Sequence, residues 1–244
     1  DMFQRLDTLP SRFLKELTAT FLHRPYQRMA ETGLIMSYLL ALAIGDAEDL
    51  AELDVYAQAA DVDPAELVLE LTNEPDVFAL VEDQELSTEL YPLTAQTARS
   101  FRNTEQFRGL MTGLGEAEMQ EIGNLYTASL PAWMASGLED AWQRELDLSG
   151  ERILTIGYGS GDAAEIIPMV LVPGWQDAAS KIAFQASLDS PVDLTEADYQ
   201  SLHAGNAPEV ASREQTGVVY IDYVGQRESQ YDNFGVEYYR YQAS

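Results

Sequence analysis

The sequence predicts an α/β fold arranged as one domain over residues 1–244. Two observations carry this prediction. Apolar residues recur at helical spacing through most of the first 150 residues, whereas short alternating or β-branched segments predominate after residue 151. Neither an internal repeat nor a Gly/Ser/Pro-rich linker divides the chain, so we expect one domain.

The first 43 residues predict a helix, a strand and a second helix in succession. Residues 11–19 have an amphipathic pattern with Ser11 as the expected N-cap. The segment LTATFL at 17–22 has the β-branched and aromatic content of a buried strand. A polar segment follows, and apolar side chains then recur at helical spacing over 26–43, behind a proline that favours a helix start.

The same periodicity predicts the later helices, at 46–60, 63–71, 94–108 and 125–146. The first two are acidic, and we expect their charges to be solvated. A glycine-containing turn is expected at 109–115, and Pro131 fits a first helical turn or a kink.

The remaining segments predict strands and the loops between them. Arg152–Ile156 predicts a strand that leads into a glycine loop at Gly157–Gly161, and a further apolar run follows at 167–172. Residues 217–224 and 234–241 alternate in polarity and predict a C-terminal hairpin.

The charge balance excludes two classes of partner. Asp and Glu number 41 against 14 Lys and Arg, which gives a formal net charge of −27. Nucleic acids and anionic lipids both require a basic face, so neither is an expected partner. The longest apolar stretch, at 33–45, is too short to span a membrane, and the first 20 residues lack a signal-peptide pattern. We therefore expect a soluble, cytoplasmic protein.

The absence of cysteine limits the chemistry that this chain performs alone. With no Cys in the sequence, disulfides, zinc thiolates and a Cys nucleophile are excluded. Only His23 and His203 are histidines, and no HExxH pattern occurs, so no metal site is predicted. A carboxylate-only Mg²⁺ site stays open in so acidic a chain.

Three polar motifs are candidates for a functional site. His23 in FLHRPY follows the first strand, where an imidazole donates to a carbonyl, moves a proton or simply bonds backbone groups. Asn124 in GNLYTAS either caps the following helix or turns its amide toward a ligand. The segment ILTIGYGSGD at 153–162 allows backbone N–H groups to approach a phosphate, a nucleotide or an oxyanion.

The glycine segment also resembles the first motif of class I methyltransferases, which binds S-adenosylmethionine. In those enzymes a glycine-rich turn joins a strand to a supporting helix. Here Thr155 stands where they usually carry an acidic residue, and Pro168 falls within the expected helix. A methyltransferase is therefore kept as an alternative function.

The three motifs in this order resemble the hydroxymethylglutaryl-CoA synthases of the thiolase superfamily. FLHRPYQRMA, IGNLYTASL and YGSGDAAEI match that family's H-x-P-[FY], G-N-x-Y-T-x-S and Y-G-S-G motifs, and GVVYIDYV with YYRYQ matches its last hairpin. The resemblance extends from Leu17 to the end of the chain. It implies the C-terminal half of a thiolase-like, layered α/β/α fold with a mixed sheet.

The activity implied by the resemblance is a Claisen-type condensation of acetyl-CoA, or an acetyl carrier protein, with acetoacetyl-CoA. Such an acyltransferase would belong to the mevalonate pathway of isoprenoid biosynthesis or, with a carrier-protein donor, to a polyketide pathway. His23 would be catalytic and would polarise the acetoacetyl group. Residues implied or expected to bind substrate are Asn124 at the thioester, Ser160 with Gly159 around the acyl pocket, Tyr126 lining it, and Pro25 and Arg28 from the His23 segment.

The family's catalytic Cys and Glu lie in its N-terminal half, which implies a partner. That half would be a separate chain, a cleaved piece or a segment outside this sequence, and dimerisation is expected. Coenzyme A thioesters would be substrates, and no further cofactor is expected. Arg28 suits phosphate, but the adjacent Glu31 is expected to weaken CoA binding, which leaves a carrier protein as an alternative donor. A non-catalytic partner subunit is a further alternative.

Overall fold

The computed structural model describes residues 2–73, 90–159, 163–189, 191, 193–204, 218–227 and 233–243. The chain divides into two compact units, Asp1–Asp189 and Ser190–Ser244. This division leaves the single-domain expectation a prediction, because compactness alone does not define an independently folding domain.

The first unit alternates helices with three strands. Its helices are α1 (Met2–Arg5), α2 (Pro10–Lys15), α3 (Gln27–Ala43), α4 (Ala47–Ala59), α5 (Pro64–Thr72), α6 (Pro92–Arg102), α7 (Glu105–Thr112), α8 (Glu116–Gln120), α9 (Ser129–Gln143), α10 (Trp175–Ala179) and α11 (Phe184–Leu188). Its strands are β1 (Leu17–Leu22), β2 (Arg152–Gly159) and β3 (Ala163–Val170).

The three strands form a mixed sheet in the order β1-β2-β3. β1 pairs parallel with β2, and β2 pairs antiparallel with β3. Thr20 and Phe21 point to opposite faces of β1, as consecutive strand residues do, yet both are buried. Thr20 Oγ1 donates to the carbonyl of Leu110 on α7, and the Phe21 ring packs edge-on against Trp133 on α9. β1 is therefore covered on both faces, which agrees with the predicted mixed α/β fold.

The glycine loop predicted at Gly157–Gly161 is wrong for its first three residues. β2 continues to Gly159, which pairs with Ala163 across an antiparallel ladder, so Gly157–Gly159 belong to a strand. Ser160 and Gly161 lie outside the described residues. Pro168 lies in β3, at the edge of the described sheet, where its missing N–H is tolerated.

Two helix boundaries also differ from the predictions. Ser11 does not cap α2, because Pro10 already occupies the first turn and the buried Ser11 hydroxyl donates to Asp49. The helix predicted over 94–108 divides after Arg102, where the Thr104 side chain accepts from the Phe107 N–H and starts α7. α9 begins at Ser129, so Pro131 falls in its first turn as expected.

The second unit contains α12 (Glu196–His203) and an antiparallel hairpin of β4 (Val218–Val224) and β5 (Glu237–Gln242). The C-terminal hairpin prediction is therefore confirmed. Tyr223 and Tyr238 stack across it with ring centroids 4.5 Å apart. His203 ends α12, with its ring 5.5 Å from that of Tyr199. Among the described residues of both units, no helix is long and apolar enough to cross a membrane.

A buried hydrogen-bond network joins α2, α3 and α4. Asp49 is only 3 % exposed, accepts from Ser11 Oγ at 2.5 Å and pairs with Lys15 Nζ at 2.8 Å. Lys15 also contacts Glu52, whose Oε1 accepts from the hydroxyls of Tyr38 and Tyr56. The expectation that the acidic charges of α4 are solvated is thus wrong at Asp49, because the helix turns this carboxylate toward Lys15.

The network fixes the protonation states of its members. Burial alone raises the pKa of Asp49, but hydrogen bonds from Lys15 and Ser11 outweigh it and hold this pKa below its usual value. Burial alone lowers the pKa of Lys15, but hydrogen bonds to Asp49 and Glu52 raise it overall. Burial and the hydrogen bond to Glu52 raise the pKa of Tyr38. The pair therefore stays ionised, and the tyrosine protonated, at neutral pH.

We expect Asp49→Asn to lower the free energy of unfolding at pH 7 by about 1–3 kcal/mol, because it leaves Lys15 without its buried partner. Since the folded-state pKa of Asp49 is depressed, its contribution is present above the unfolded-state pKa and is lost as pH falls through the folded value. The free energy of unfolding of Asp49→Asn, measured in urea, should therefore fall less than that of the wild type as the pH is lowered. Glu48→Gln, exposed on the same helix, is the control. Equal acid dependence in wild type and Asp49→Asn would contradict this account.

A second constraint is the close approach of Gly115 to α9. Gly115 has φ of +63°, and an added Cβ would lie 2.4 Å from the backbone nitrogen of Gly137. Its N–H donates to Asp140, and its carbonyl accepts from the Ser136 hydroxyl. The loop before α8 therefore packs directly against α9, the helix that also contacts Phe21.

Gly115→Ala should lower the free energy of unfolding by roughly 1–3 kcal/mol, since it adds both backbone strain and a clash. Gly109→Ala is the matched control, because Gly109 lies within α7 and has no atom within 4 Å of an added Cβ. That control should be stabilising by about 0.5–1 kcal/mol. Urea unfolding of both variants measures the difference, and an equal effect would contradict the close contact.

Candidate active site

The site begins where the two parallel strands end. The His23 N–H donates to the carbonyl of Ile156 at 2.8 Å, so the ladder between β1 and β2 extends one residue past β1. The His23 ring lies 6.2 Å from that of Tyr158, centroid to centroid, with its plane steeply inclined. The carboxyl ends of adjacent parallel strands are a common place for ligand sites in α/β sheets. The first and third sequence motifs thus meet at one edge.

His23 keeps its ring available at this edge. The residue is partly buried, and no side chain or carbonyl of the described residues forms a hydrogen bond to its imidazole nitrogens. The interpretation in which backbone groups occupy the ring is therefore not supported by the described residues. An imidazole ring has one nitrogen that can donate a hydrogen bond and one that can accept, so the ring at this position is a candidate ligand contact.

The second motif reaches the site through Ser129, the first residue of α9. Ser129 Oγ accepts from the Arg24 N–H and donates to the Arg24 carbonyl, both at 3.2 Å. An added Cβ on Gly157 would lie 3.8 Å from Leu130 Cδ2, so the next residue of α9 lies against β2. All three motifs are therefore brought together.

Asn124 forms a local turn before α9. Its Oδ1 accepts from the Tyr126 N–H at 3.0 Å, and the residue is exposed. The side-chain oxygen therefore stabilises the turn as an Asx-turn does, while its amide N–H groups can donate to a ligand. The helix-cap interpretation of Asn124 is wrong, because α9 follows Ala128 and starts without a side-chain cap hydrogen bond. The ligand-binding interpretation stays a prediction, since the bond to Tyr126 uses the side-chain oxygen and not the amide N–H groups.

The other predicted site residues differ in their exposure to solvent. Tyr126 is 72 % exposed at φ of +50°, and Tyr158 is 54 % exposed. Pro25 is partly buried before α3, and Arg28 is exposed in its first turn. Gly159 ends β2, and Ser160 lies outside the described residues.

Glu31, expected to oppose phosphate binding near Arg28, has a cationic partner of its own. Its Oε2 lies 3.1 Å from Arg102 Nε on α6. The ion pair offsets part of the negative charge that Glu31 would present to a phosphate. Among the residues that the structure describes, His, Asp and Glu form no group of three suited to holding a metal ion.

Sequence reasoning missed Arg24, which separates His23 from Pro25. Arg24 is only 8 % exposed, and its guanidinium carbon lies 4.7 Å from the centroid of the Trp133 ring. Burial lowers the pKa of Arg24, while Glu116 and Glu31 partly oppose this effect. An arginine placed directly after a buried strand was the available signal, because buried arginine is rare without a specific contact.

The positive φ of Tyr126 predicts an unusual response to substitution. Replacement by Gly should leave the free energy of unfolding unchanged or raise it by up to about 1 kcal/mol, because a strained backbone is relieved and little buried surface is lost. Tyr126→Ala loses the same ring but keeps the strain, so it should be less stable than Tyr126→Gly in urea unfolding. An alanine variant as stable as the glycine variant would contradict the strain.

The fold places the chain in a structural class. The mixed α/β arrangement is similar to a solved structure described as MvaS in complex with 3-hydroxy-3-methylglutaryl coenzyme A, with a TM-score of 0.56. The alignment covers 97 % of this chain and 43 % of that one, at 20 % sequence identity. This likeness shows the fold, which is thiolase-like.

Sequence comparison finds a more specific similarity over part of the chain. Residues 116–224 match the family model for the C-terminal region of hydroxymethylglutaryl-coenzyme A synthase. A hydroxymethylglutaryl-CoA synthase of Enterococcus faecalis is 36 % identical over 85 residues, and one of Haloferax volcanii is 28 % identical over 105. Over this part of its length, the chain is therefore similar to the C-terminal region of hydroxymethylglutaryl-CoA synthases.

The family-model match includes the Asn124 and glycine motifs. The two curated synthases match over 35 % and 42 % of this chain, and this chain covers only 21 % and 24 % of their own lengths. His23 lies outside the residues that match the family model. Its inclusion in the site rests on its motif and on its position beside Tyr158.

Proposed function

We propose that this chain supplies the carbonyl-binding side of the active site of a hydroxymethylglutaryl-CoA synthase-like acyltransferase. The observation that carries the proposal is the meeting of His23 and Tyr158 at the carboxyl ends of β1 and β2. Ser129 ties the Asn124 segment to the same edge. The family match through residues 116–224 supports it.

The proposed reaction joins two acyl groups. An acetyl group is held as a thioester on a cysteine of the partner region, and a base there removes a proton from its methyl carbon. The resulting carbanion attacks the ketone carbon of acetoacetyl-CoA, forming the new C–C bond and an alkoxide. The alkoxide takes up a proton, and water then cleaves the thioester to the cysteine, which releases a free carboxylate and the thiol.

The residues of this chain act on the acetoacetyl half of that reaction. The His23 ring and the amide N–H groups of Asn124 supply hydrogen-bond donors, and donors aimed at a ketone oxygen stabilise the alkoxide as it forms. Tyr126 and Tyr158 contribute exposed aromatic surface for an acyl chain. Arg28 suits a phosphate of coenzyme A or of a carrier-protein arm.

The catalytic Cys and Glu must come from an N-terminal half that this sequence does not contain. The sequence has no cysteine, and its matches span at most 24 % of the two curated synthases. β3 presents exposed apolar side chains, Ile166, Ile167 and Val170, which a further part of the enzyme could cover. We propose that the complete particle contains two copies of each half.

The methyltransferase alternative is not favoured by the antiparallel pairing of β2 with β3. In that class the glycine-rich segment turns from a strand into a helix, whereas here β2 pairs antiparallel with β3 from Gly159 and Ala163 onward. The non-catalytic subunit is the remaining alternative, and it predicts no condensation even with a cysteine-bearing half present.

His23→Ala, in the particle that contains the cysteine-bearing half, should lower condensation on the order of 100-fold, because a donor to the developing alkoxide is removed. Acetylation of the partner cysteine should be largely unchanged, since His23 acts on the other substrate. Both steps are measurable with labelled acetyl-CoA.

The matched control is His203→Ala, which removes the other histidine, at the end of α12 in the second unit. It should retain condensation. Wild-type rates in His23→Ala would overturn the role of His23, and no condensation in the wild-type particle would favour the non-catalytic subunit.

A further inference from the structure

We propose that Ser129 is a positioning residue that fixes His23 relative to Asn124. It does so by clamping the backbone of Arg24 to the start of α9. The proposal deepens the proposed function and rests on it for the role of His23, although the clamp itself is a feature of the described structure.

The clamp consists of two hydrogen bonds made by one hydroxyl. Ser129 Oγ accepts from the Arg24 N–H and donates to the Arg24 carbonyl. Both polar groups of a residue adjacent to His23 are thereby satisfied by a single side chain that is only 2 % exposed. A hydroxyl is suited to this because it is a donor and an acceptor at once.

The same serine also fixes the other side of the site. Ser129 begins α9 directly after the turn formed by Asn124 and Tyr126. Displacing Ser129 therefore moves the turn and the His23 segment relative to each other. The N–H of His23 itself donates to the carbonyl of Ile156 on β2, so the backbone is held by β2 at His23 and by Ser129 at the next residue.

The Arg24 side chain provides a second anchor. Its guanidinium lies over Trp133, which is fully buried and whose Nε1 donates to the carbonyl of Leu114. Nη1 of Arg24 is buried without a hydrogen-bond partner among the described residues. Burying an incompletely bonded cation is costly, so this side chain is not explained by stability alone. The contact between the Arg24 guanidinium and Trp133 therefore holds the His23 segment against α9, the same helix that carries Ser129.

The test compares Ser129→Ala with Ser136→Ala. Both serines lie on α9, both are 2 % exposed, and both donate to a backbone carbonyl, but Ser136 bonds Gly115 rather than Arg24. Either variant loses a buried hydrogen bond, so a purely structural role predicts similar effects for the two. Ser129→Thr retains the hydroxyl and serves as the conservative rescue.

The readout is NMR of the chain labelled with ¹³C at histidine Cε1, with any copurifying polypeptide retained. The chain has two histidines, so His203 provides an internal reference. We expect Ser129→Ala to shift or broaden the His23 resonance while His203 is unchanged, whereas Ser136→Ala leaves both at their wild-type positions. Ser129→Thr should restore the His23 resonance.

In the complete particle, Ser129→Ala should also lower kcat by up to about 100-fold, the loss that a displacement of about 1 Å can cause. An unchanged His23 resonance in Ser129→Ala, or an equal change in Ser136→Ala, would overturn the clamp while leaving the proposed function intact. A shifted His23 resonance in Ser129→Ala, combined with a wild-type particle that shows no condensation, would support the clamp and overturn the proposed function instead. If Ser129→Ala does not fold, Ser129→Thr tests the clamp alone. Its His23 resonance should lie at the wild-type position, and a shifted resonance would contradict the proposal.

Discussion

The parallel pairing of β1 with β2 is the constraint on which the rest of the site depends. It joins Leu17–Leu22 to Arg152–Gly159, segments that are far apart in the sequence. Both strands end at the same edge, so His23 and Tyr158 become neighbours without any local sequence relation. A parallel pair requires a long crossover, and here that crossover contains α3 to α9, including the Asn124 turn. The geometry of the sheet therefore assembles the three motifs.

Two kinds of contact stabilise the first unit. On one face of β1, the Phe21 ring packs edge-on against Trp133 of α9. Gly137 leaves space for this ring because it has no side chain. Away from the site, the Asp49 network joins α2 to α4 with ionised and hydrogen-bonded groups. Lys15 is one of only two lysines in a chain with net charge −27, and the structure uses it where two carboxylates converge. An ion pair formed with a buried partner is less screened by solvent than one on the surface.

Elements with strong local patterns were predictable from the sequence, and the site residues only in part. β1, α3 and the C-terminal hairpin follow from periodicity and composition. The course of β2 through Gly157–Gly159 did not, because glycine usually favours turns and only the pairing with β3 keeps these residues extended. The roles of Ser11 and Asp49 were predicted wrongly because their burial depends on a contact between two helices, and the two residues are 38 positions apart in the sequence. Arg24 was missed for the same reason, since its partners Ser129 and Trp133 are distant in sequence.

The central claim is that this chain provides one side of an active site whose cysteine lies in another region. Purification of the native particle through this chain, followed by mass spectrometry after incubation with acetyl-CoA, tests the claim directly. The account predicts a cysteine-bearing region, on the same or a second polypeptide, that gains an acetyl group and loses it when acetoacetyl-CoA is added. A particle in which no cysteine is acetylated, or in which the acetyl group does not respond to acetoacetyl-CoA, would contradict it.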